Sequence, residues 1–371
     1  MRVVQVANFV GPESGGIRTV LGRLAAGYAA AGHEIVQILP GERREVTAHD
    51  WGVRVQLPGR VLPGTGYRLL AAAAVIRELT ELRPDRLEVH DRTTLRRLGR
   101  WSRAAGVPAC VISHERLDRL LEQWTRGRVP TGRLADRSNR RLAAGFHSVV
   151  CTTAWAAEEF TRLGVPNLSV VPLGVDTTLF TPAAADPAVR RRYAPGGGAL
   201  LAMVIRLSPE KSPALAIEAV REMVRRGERA TLVVAGDGPL RRRLEHAARG
   251  LPVHFLGHLT DPAEVAALLA TADVVLAPGP VETFGLAALE ALASGTPVVV
   301  NARSALPSVV GSAGIAAAPT PGEFAAAAQA LLRRPGSSAL AREHALGFRW
   351  DATVHGFLAV HHLAPARTVA E

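Results

Sequence analysis

Residues 3–39 read VVQVANFVGPESGGIRTVLGRLAAGYAAAGHEIVQIL, and this stretch decides the fold. A short apolar run leads into a Gly/Pro/Ser loop, then a segment with apolar residues at helical spacing, then a second apolar run from Glu34. Two strands joined through a helix in this way form a β-α-β unit, whose strands pair in parallel. The pattern predicts an α/β protein with a parallel sheet.

The same alternation continues along most of the 371 residues and breaks once, at 172–198, where four prolines and three consecutive glycines indicate a linker. We therefore predict an N-terminal Rossmann-like domain at 1–171 and a C-terminal one at 199–347, followed by a helix at 348–364. Ligands of such sheets bind outside the carboxyl ends of the strands, so the two domains are expected to face each other across a cleft.

The charge of the chain is unusual because arginine supplies almost all of it. The sequence has 44 basic and 33 acidic residues, a net charge of +11, and a single lysine, Lys211. Such a bias is typical of a GC-rich genome. A position that keeps lysine in this setting is expected to need a compact ammonium group rather than a planar guanidinium.

The cysteines and the chain ends predict a cytoplasmic protein. Cys110 and Cys151 lie in apolar runs without metal-ligand spacing, so we expect neither a disulfide framework nor a metal site. No signal peptide and no run of 18 apolar residues is recognisable.

The segment ETFGLAALE, from Glu282 to Glu290, is the strongest candidate for a ligand site. It follows an apolar strand, and we predict that it opens a helix at about Phe284. The free amides of Phe284, Gly285 and Leu286 would then bind an anion such as a diphosphate. An acidic residue at a helix start is also favoured by the helix dipole, which explains Glu282 alone but not Glu290.

Two cations follow the first strand of the second domain, in the segment RLSPEK from Arg206 to Lys211. A guanidinium and an ammonium at a strand's carboxyl end suit a diphosphate leaving group, although a surface loop with ordinary charges has the same pattern. We predict that Ser212 caps the following helix and that Pro213 is its first residue.

Three weaker features also lie at predicted strand ends. Gly15 and Gly16 would allow a phosphate or an acceptor to approach the backbone, or simply form a turn. His114 is either a structural histidine or a substrate contact. Gly236 belongs to a Gly-Asp-Gly-Pro turn that is either a plain turn or a ligand edge.

An arginine-rich segment lies between Arg96 and Arg141, with 12 arginines against four acidic residues. Leucines and a tryptophan lie among them, as in a basic amphipathic helix on an anionic membrane surface. A solvated arginine-rich face explains the composition equally well, and no nucleic-acid-binding module accompanies the charge. The candidate membrane or acceptor residues are Arg116, Arg119, Trp124 and Arg126.

Taken together, these motifs resemble glycosyltransferase family 4 over residues 1 to about 364. The resemblance rests on the Gly-Gly loop, R-x-x-x-E-K at 206–211, G-x-G-P at 236–239 and E-x7-E at 282–290, with a linker-like Val-Pro-Leu-Gly-Val-Asp run at 171–176. It implies a GT-B fold and retention of anomeric configuration without a metal, in agreement with the absence of a D-x-D motif. It also implies that the terminal helix returns toward the first domain.

The resemblance implies a role for each candidate residue. Glu282 would contact the donor hexose and Glu290 the ribose hydroxyls, while Arg206 and Lys211 stabilise the departing diphosphate. His114 would contact the transferred sugar.

Within the family, the start MRVVQVANF and the segment ISHERLD resemble actinobacterial mannosyltransferases that use GDP-mannose to extend phosphatidylinositol mannosides. This likeness implies a glycolipid acceptor and a peripheral enzyme on the inner face of the plasma membrane. A UDP-sugar-dependent transferase with a soluble acceptor, a nucleotide-sugar 2-epimerase and a non-catalytic lipid-binding protein remain the alternatives.

Overall fold

The computed structural model describes residues 1–11, 15–63, 65–125, 127–128 and 130–363 of the chain. The chain divides into two compact units. Unit 1 comprises Met1–Leu173 and the C-terminal stretch from Trp350, and unit 2 comprises Gly174–Arg349. The unit boundary thus falls just inside the predicted linker.

Unit 1 is built on a sheet of eight strands in the order β10-β9-β8-β7-β1-β2-β4-β3, in which β3 alone pairs antiparallel. Its elements, in chain order, are β1 (Arg2–Val6), α1 (Gly16–Ala30), β2 (Glu34–Gly41), β3 (Glu45–His49), β4 (Gly52–Pro58), β5 (Arg60–Leu62), β6 (Tyr67–Leu69), α2 (Ala72–Leu82), β7 (Arg86–Val89), α3 (Arg97–Ala104), β8 (Ala109–Ser113), α4 (Leu117–Thr125), α5 (Gly132–Gly145), β9 (Ser148–Cys151), α6 (Ala154–Thr161), β10 (Leu168–Val170) and, last, α15 (Trp350–Val360).

The two faces of the unit 1 sheet differ in polarity because side chains alternate along each strand. One face is apolar and packs in a core that includes Val4, Leu87 and Val111. The other face carries Gln5 on β1 and Glu88 on β7, both fully buried. The apolar face supplies burial that stabilises the sheet, and the buried polar side chains of the other face form hydrogen bonds with one another.

Unit 2 contains an all-parallel sheet of six strands in the order β13-β12-β11-β14-β15-β16, flanked by helices. Its elements are α7 (Pro187–Tyr193), β11 (Ala199–Val204), α8 (Ala214–Arg225), β12 (Ala230–Ala235), α9 (Arg241–Ala247), β13 (Val253–Gly257), α10 (Pro262–Thr271), β14 (Val274–Ala277), α11 (Leu286–Ala293), β15 (Val298–Asn301), α12 (Leu306–Val310), β16 (Gly314–Ala317), α13 (Pro321–Arg333) and α14 (Ser337–Leu346).

Most of the predicted linker is ordered structure of unit 2. Asp186 caps the short helix α7, and Arg190 pairs with Asp273 at 2.6 Å. Arg342 donates hydrogen bonds to the carbonyls of Thr177 and Phe180. The prolines therefore mark an irregular segment that packs against unit 2 from Gly174 onward.

No helix in the described part of the chain is long and apolar enough to span a bilayer.

Candidate active site

Three neighbouring parallel strands of unit 2 end at the same edge of the sheet, and the loop after each strand contains predicted site residues. The loop after β11 carries Arg206 and Lys211, the loop after β12 carries Gly236, and the loop after β14 carries Glu282. The order β12-β11-β14 places the loop with the two cations between the other two. The topology therefore brings together residues that lie up to 76 positions apart in the chain.

Lys211 and Glu282 form an ion pair at this edge. The Lys211 Nζ donates a hydrogen bond to Glu282 Oε1 at 2.6 Å, and both side chains keep part of their surface open to solvent, 28% and 17% respectively. The Glu282 carbonyl accepts a hydrogen bond from Ala305 in the loop after β15 at 2.9 Å. The backbone of Glu282 is thus fixed while its carboxylate and the ammonium remain accessible to a ligand.

The helix after this loop begins at Leu286, two residues later than predicted. Gly285 has a left-handed backbone (φ 77°), so neither it nor Phe284 is helical. A Cβ at Gly285 would lie 2.3 Å from Leu306 Cδ2, so both the backbone and the packing require glycine. The amides of Ala288 and Leu289 donate to the Gly285 carbonyl, so the helical amides left for a ligand are those of Leu286 and Ala287, at the very start of the helix.

Glu290 lies one turn into α11, on the same face as Leu286 and Ala287, because residues three and four apart on a helix share a face. The buried side of the helix is formed by Ala288, Leu289 and neighbouring alanines and leucines. No hydrogen bond or ion pair is found for the Glu290 side chain within the described residues. Burial among apolar neighbours raises its pKa to about 7. An unpartnered carboxyl group in such surroundings is a typical ligand contact.

The loop that carries the cations differs locally from the prediction. Ser212 has a left-handed backbone (φ 49°) and follows a short 3₁₀ turn over Pro209–Lys211, and Pro213 occupies the cap position of α8. The prediction that Ser212 caps the helix is therefore wrong. The 3₁₀ turn at Pro209–Lys211 fixes the backbone from which the Lys211 side chain extends.

Gly236 is required by packing. Its φ is 134°, and a Cβ there would lie 1.9 Å from the carbonyl oxygen of Ile205, in the loop after β11. The neighbouring Asp237 pairs with Arg241 at 2.7 Å and accepts a hydrogen bond from the Gly238 amide. Within the described structure, the turn is explained by its contact with the neighbouring loop, without a ligand.

In unit 1, His114 follows β8 at the carboxyl edge of the sheet and is half-buried. Its Nε2 lies 2.9 Å from Nδ1 of His90, which follows the neighbouring strand β7. His90 Nε2 in turn lies 2.6 Å from Glu88 Oε1. Burial lowers the pKa of His114 to about 3, with a further contribution from His90, so this imidazole is neutral at physiological pH.

The sequence interpretation missed Glu88 and His90. Their signal was a polar residue inside an apolar strand, in the run Leu87-Glu-Val-His90, matched by Gln5 and Gln37 in two other predicted strands. Three strands with one buried polar residue each indicate a polar row on one face of the sheet.

Gly15 and Gly16 lie at the start of α1, beyond a loop whose residues 12–14 are outside the described residues. Gly15 has φ −75°, and a Cβ there would meet no atom within 4 Å. Neither backbone conformation nor packing therefore requires glycine at this exposed position. Close approach of a ligand remains a sufficient reason for it.

The predicted membrane face is only partly exposed. Arg116 is buried, pairs with Asp118 and Glu158 and lies over the Trp155 ring, so its assignment to this face is wrong. These pairs tie it to α6 inside unit 1. Arg119 is exposed and pairs with Glu122, Trp124 is 69% exposed, and Arg126 lies outside the described residues.

Two family models match most of the chain. The model described as "Glycosyl transferase 4-like domain" matches residues 15–175, in unit 1 except for their last two positions, and the model described as "Glycosyl transferases group 1" matches residues 198–334, within unit 2. Each candidate site described above falls within a matched region.

The chain is similar along most of its length to mannosyltransferases. The chain is 48% identical, over 97% of its length and 95% of the relative's, to a GDP-mannose-dependent alpha-(1-6)-phosphatidylinositol dimannoside mannosyltransferase of Mycobacterium tuberculosis. It is 31% identical, over 81% of its length and 79% of the relative's, to a GDP-mannose-dependent alpha-mannosyltransferase of Mycolicibacterium smegmatis. Among solved structures, sucrose-phosphate synthase from Thermosynechococcus elongatus has the same fold, with a TM-score of 0.78 over 98% of both chains at 18% identity.

Proposed function

The chain belongs to glycosyltransferase family 4, and from that premise we propose that it transfers mannose from GDP-mannose to a phosphatidylinositol mannoside, with retention of configuration and without a metal. The reaction forms a bond between an acceptor hydroxyl oxygen and the anomeric carbon. The bond from that carbon to the diphosphate oxygen breaks, GDP leaves with the electron pair, and the hydroxyl proton passes to the leaving phosphate.

The observation that carries the donor site is the unpartnered Glu290 carboxyl one turn beyond the first amides of α11. A diphosphate bound at those amides would lie about 6 Å along the helix axis from Glu290, at a rise of about 1.5 Å per residue. That separation suits a ribose attached to the phosphates, and its hydroxyls would donate hydrogen bonds to the carboxylate.

The leaving group is stabilised by cations in place of a metal. Lys211 and Arg206 follow the central strand of this edge, and Lys211 already contacts an acidic side chain there. A phosphate would draw the ammonium toward itself, and Glu282 would then accept hydrogen bonds from the hexose hydroxyls. Positive charge placed where negative charge develops lowers the barrier to departure of GDP.

The acceptor is a glycolipid, which the relative of Mycobacterium tuberculosis supports through its name. At the start of α1, Gly15 leaves room for a phosphate of the donor, or for the acceptor, to approach the backbone. The exposed Trp124 and the basic segment around it would rest on an anionic membrane surface at the inner face of the plasma membrane. We infer a peripheral enzyme.

Donor choice is tested by thermal shift with GDP and UDP, because a nucleotide that binds the folded state raises its stability. We expect GDP to raise Tm more than UDP at equal concentration, with no change when EDTA is added. A larger shift with UDP would overturn the choice of GDP-mannose and favour a UDP-sugar donor.

Acceptor choice is tested by product analysis. The enzyme is incubated with labelled GDP-mannose and a membrane lipid extract, and the lipids are examined by mass spectrometry for a gain of one hexose on phosphatidylinositol mannosides. A reaction without acceptor serves as the control. Isomerised donor in that control would indicate an epimerase, and label on soluble sugars alone would exclude the glycolipid.

A further inference from the structure

A row of polar side chains crosses the unit 1 sheet beneath His114, and the proposed function leaves most of it unused. Gln37 on β2, Gln5 on β1, Glu88 on β7 and Cys110 on β8 are partners in register across four adjacent parallel strands. All four are buried on the face opposite the apolar core. A polar row of this length in a protein interior is expensive unless its hydrogen bonds are satisfied.

The Glu88 carboxylate accepts hydrogen bonds from four donors. Gln5 Nε2 at 2.7 Å and His90 Nε2 at 2.6 Å contact Oε1, while the Tyr28 hydroxyl at 2.7 Å and His361 Nε2 at 3.1 Å contact Oε2. An ionised carboxylate offers about four acceptor positions and no proton. All four positions are filled, so both histidines must present an N–H to Glu88.

Glu88 stays ionised despite its burial. Burial by itself would raise the pKa of this carboxyl, but hydrogen bonds from His361 and His90 outweigh burial and hold the pKa well below its ordinary value. The carboxylate is therefore an acceptor throughout the physiological pH range, and His90 must be protonated on Nε2.

The protonation of His90 determines that of His114. A neutral imidazole has one N–H and one lone pair. A neutral His90 uses its one N–H on Glu88, so its Nδ1 carries the lone pair and accepts from the His114 Nε2, 2.9 Å away. A His90 imidazolium would instead donate from Nδ1 and reverse this hydrogen bond, and the NMR test below distinguishes the two. The neutral His114 then carries its own lone pair on Nδ1.

We propose that Glu88 and His90 are positioning residues that hold His114 in the Nε2-protonated tautomer, with Nδ1 as a hydrogen-bond acceptor. Only one part of this inference rests on the proposed function: the donor of the hydrogen bond to His114 Nδ1, which would be a hydroxyl of the transferred sugar. The relay itself lies within unit 1 and precedes ligand binding. His361, which follows α15, ties the C-terminal helix to the same carboxylate.

A buried metal is the other chemistry that this cluster offers. Glu88, Cys110 and His361 each present one atom within 4.8 Å of the others. However, Glu88 already accepts four hydrogen bonds, and burial raises the pKa of the Cys110 thiol, which opposes formation of the thiolate that a metal prefers. The geometry favours a hydrogen-bonded relay.

The relay is tested by ¹⁵N NMR of the ligand-free protein with labelled histidine, in which the His114 signals are assigned by their loss in His114→Asn. We expect His114 Nε2 to be protonated and Nδ1 to be unprotonated at pH 7.5. In His90→Phe this preference is lost, and His90→Gln, whose side-chain oxygen accepts a hydrogen bond, restores it. An Nδ1-protonated His114 in the native protein overturns the proposal. A tautomer unchanged in His90→Phe overturns it as well.

Kinetics provides the second readout. Loss of the hydrogen-bond partner that orients a metal-bound histidine typically lowers activity about 10- to 100-fold. By the same orienting effect, we expect a fall of about this size in kcat, with little change in KM for the donor, in both Glu88→Gln and His90→Phe. The matched control is Tyr28→Phe, which removes a donor to the other oxygen of Glu88 and should leave the His114 tautomer and kcat unchanged. An equal loss of kcat in Tyr28→Phe would show that the hydrogen bonds around Glu88 only stabilise the fold, and it would overturn the positioning role.

The two proposals fail in different ways. If the donor is a UDP-sugar or the acceptor is soluble, the proposed function fails while the NMR result stands. If the tautomer is wrong, the relay fails while mannose transfer remains.

Discussion

The polar groups of the two units differ in how they are partnered before any ligand arrives. In unit 1, Glu88 accepts four hydrogen bonds, and Arg92 is buried against Glu159 and Asn139. In unit 2, no partner is found for Glu290 within the described residues, and Lys211 pairs with Glu282 where solvent can reach both. In unit 1 the hydrogen bonds of these groups are satisfied within the protein, which holds the side chains in position. In unit 2 a ligand can form hydrogen bonds and ion pairs with the charged groups.

The comparison predicts where a substitution acts. A buried ion pair that loses one partner leaves an uncompensated charge in the interior, so loss of Arg92 from its cluster in unit 1 should lower stability. A partly exposed charge can be solvated when its partner is removed, so changes in unit 2 should lower catalysis and leave folding almost intact.

Arg92→Met should have the largest effect, a loss of about 3–5 kcal/mol in the free energy of unfolding. The Arg92 guanidinium holds Glu159, Asn139 and the Glu115 carbonyl together, and Glu159 also accepts from the first amides of α4. Denaturation by urea measures the loss.

The control for this prediction is Arg162→Met. Arg162 pairs with Asp136 between the same two helices, but its side chain is exposed, so the expected loss is below about 1 kcal/mol. Similar losses in the two variants would show that burial does not distinguish the pairs.

Lys211→Ala should lower kcat about 10²- to 10³-fold, or about 2.7–4 kcal/mol of transition-state stabilisation, because the ammonium faces the charge that develops on the diphosphate. Its free energy of unfolding should change by less than about 1 kcal/mol, as for other accessible ion pairs. Steady-state kinetics and urea denaturation of the same preparation separate the two quantities.

Lys211→Arg and Arg225→Ala complete this series. Arg225 pairs with Glu222 on the surface of α8 and serves as a matched ion-pair control without effect on kcat. If Lys211→Arg is fully active, the only lysine of the chain has no need of a compact ammonium.

Glu290→Gln should weaken GDP binding by about 1.5–3 kcal/mol, the contribution of hydrogen bonds to a charged group. The ribose hydroxyls would donate to the ionised form, so the native protein should bind GDP more tightly as pH rises through about 7, the raised pKa of Glu290. Calorimetric titration from pH 6 to 8 should show this rise in the native protein and a flat profile in the variant. A parallel rise in both would assign the pH dependence to another group.

The same carboxyl has the opposite effect on stability without ligand. Burial raises its pKa in the folded protein from 4.5 to about 7. The protonated form therefore contributes stability that is fully present below about pH 4.5 and lost as pH rises through about 7. Because the side chain is partly exposed, the loss relative to Glu290→Gln should be about 1–3 kcal/mol.

The sequence predicted the features that depend on periodicity. The parallel alternation and the strand ends that carry His114, Lys211 and Glu282 follow from apolar spacing, which the structure reproduces. Family membership followed from the spacing of Glu282 and Glu290 together with the other motifs, and the comparisons confirm it.

Features that depend on tertiary contacts could not be predicted in this way. The left-handed Gly285 that precedes α11 lies where Leu306, twenty-one residues away, leaves no room for a Cβ. Arg116 looked exposed among arginines, but Trp155 and Glu158 on α6 bury it. The short strand Tyr67–Leu69, just before α2 begins at Ala72, forms by pairing with β5. None of these partners is visible in the local sequence.

Ser212→Gly should have the smallest effect and tests the comparison at a single backbone position. Ser212 and Arg83 have nearly the same left-handed φ, 49° and 48°, in unit 2 and unit 1 respectively. Replacement by glycine removes a strain of about 1–2 kcal/mol, and the greater freedom of the unfolded chain offsets about 0.4–1 kcal/mol of that gain. Ser212→Gly and its control Arg83→Gly should therefore both be more stable to urea by about 1 kcal/mol or less. Only Ser212 follows Lys211, so only Ser212→Gly should lower kcat, by about two- to threefold, as the ammonium loses a fixed backbone. The prediction is wrong if Arg83→Gly also lowers kcat, or if neither variant does. In either case the left-handed backbone at Ser212 would have no role in positioning the Lys211 ammonium.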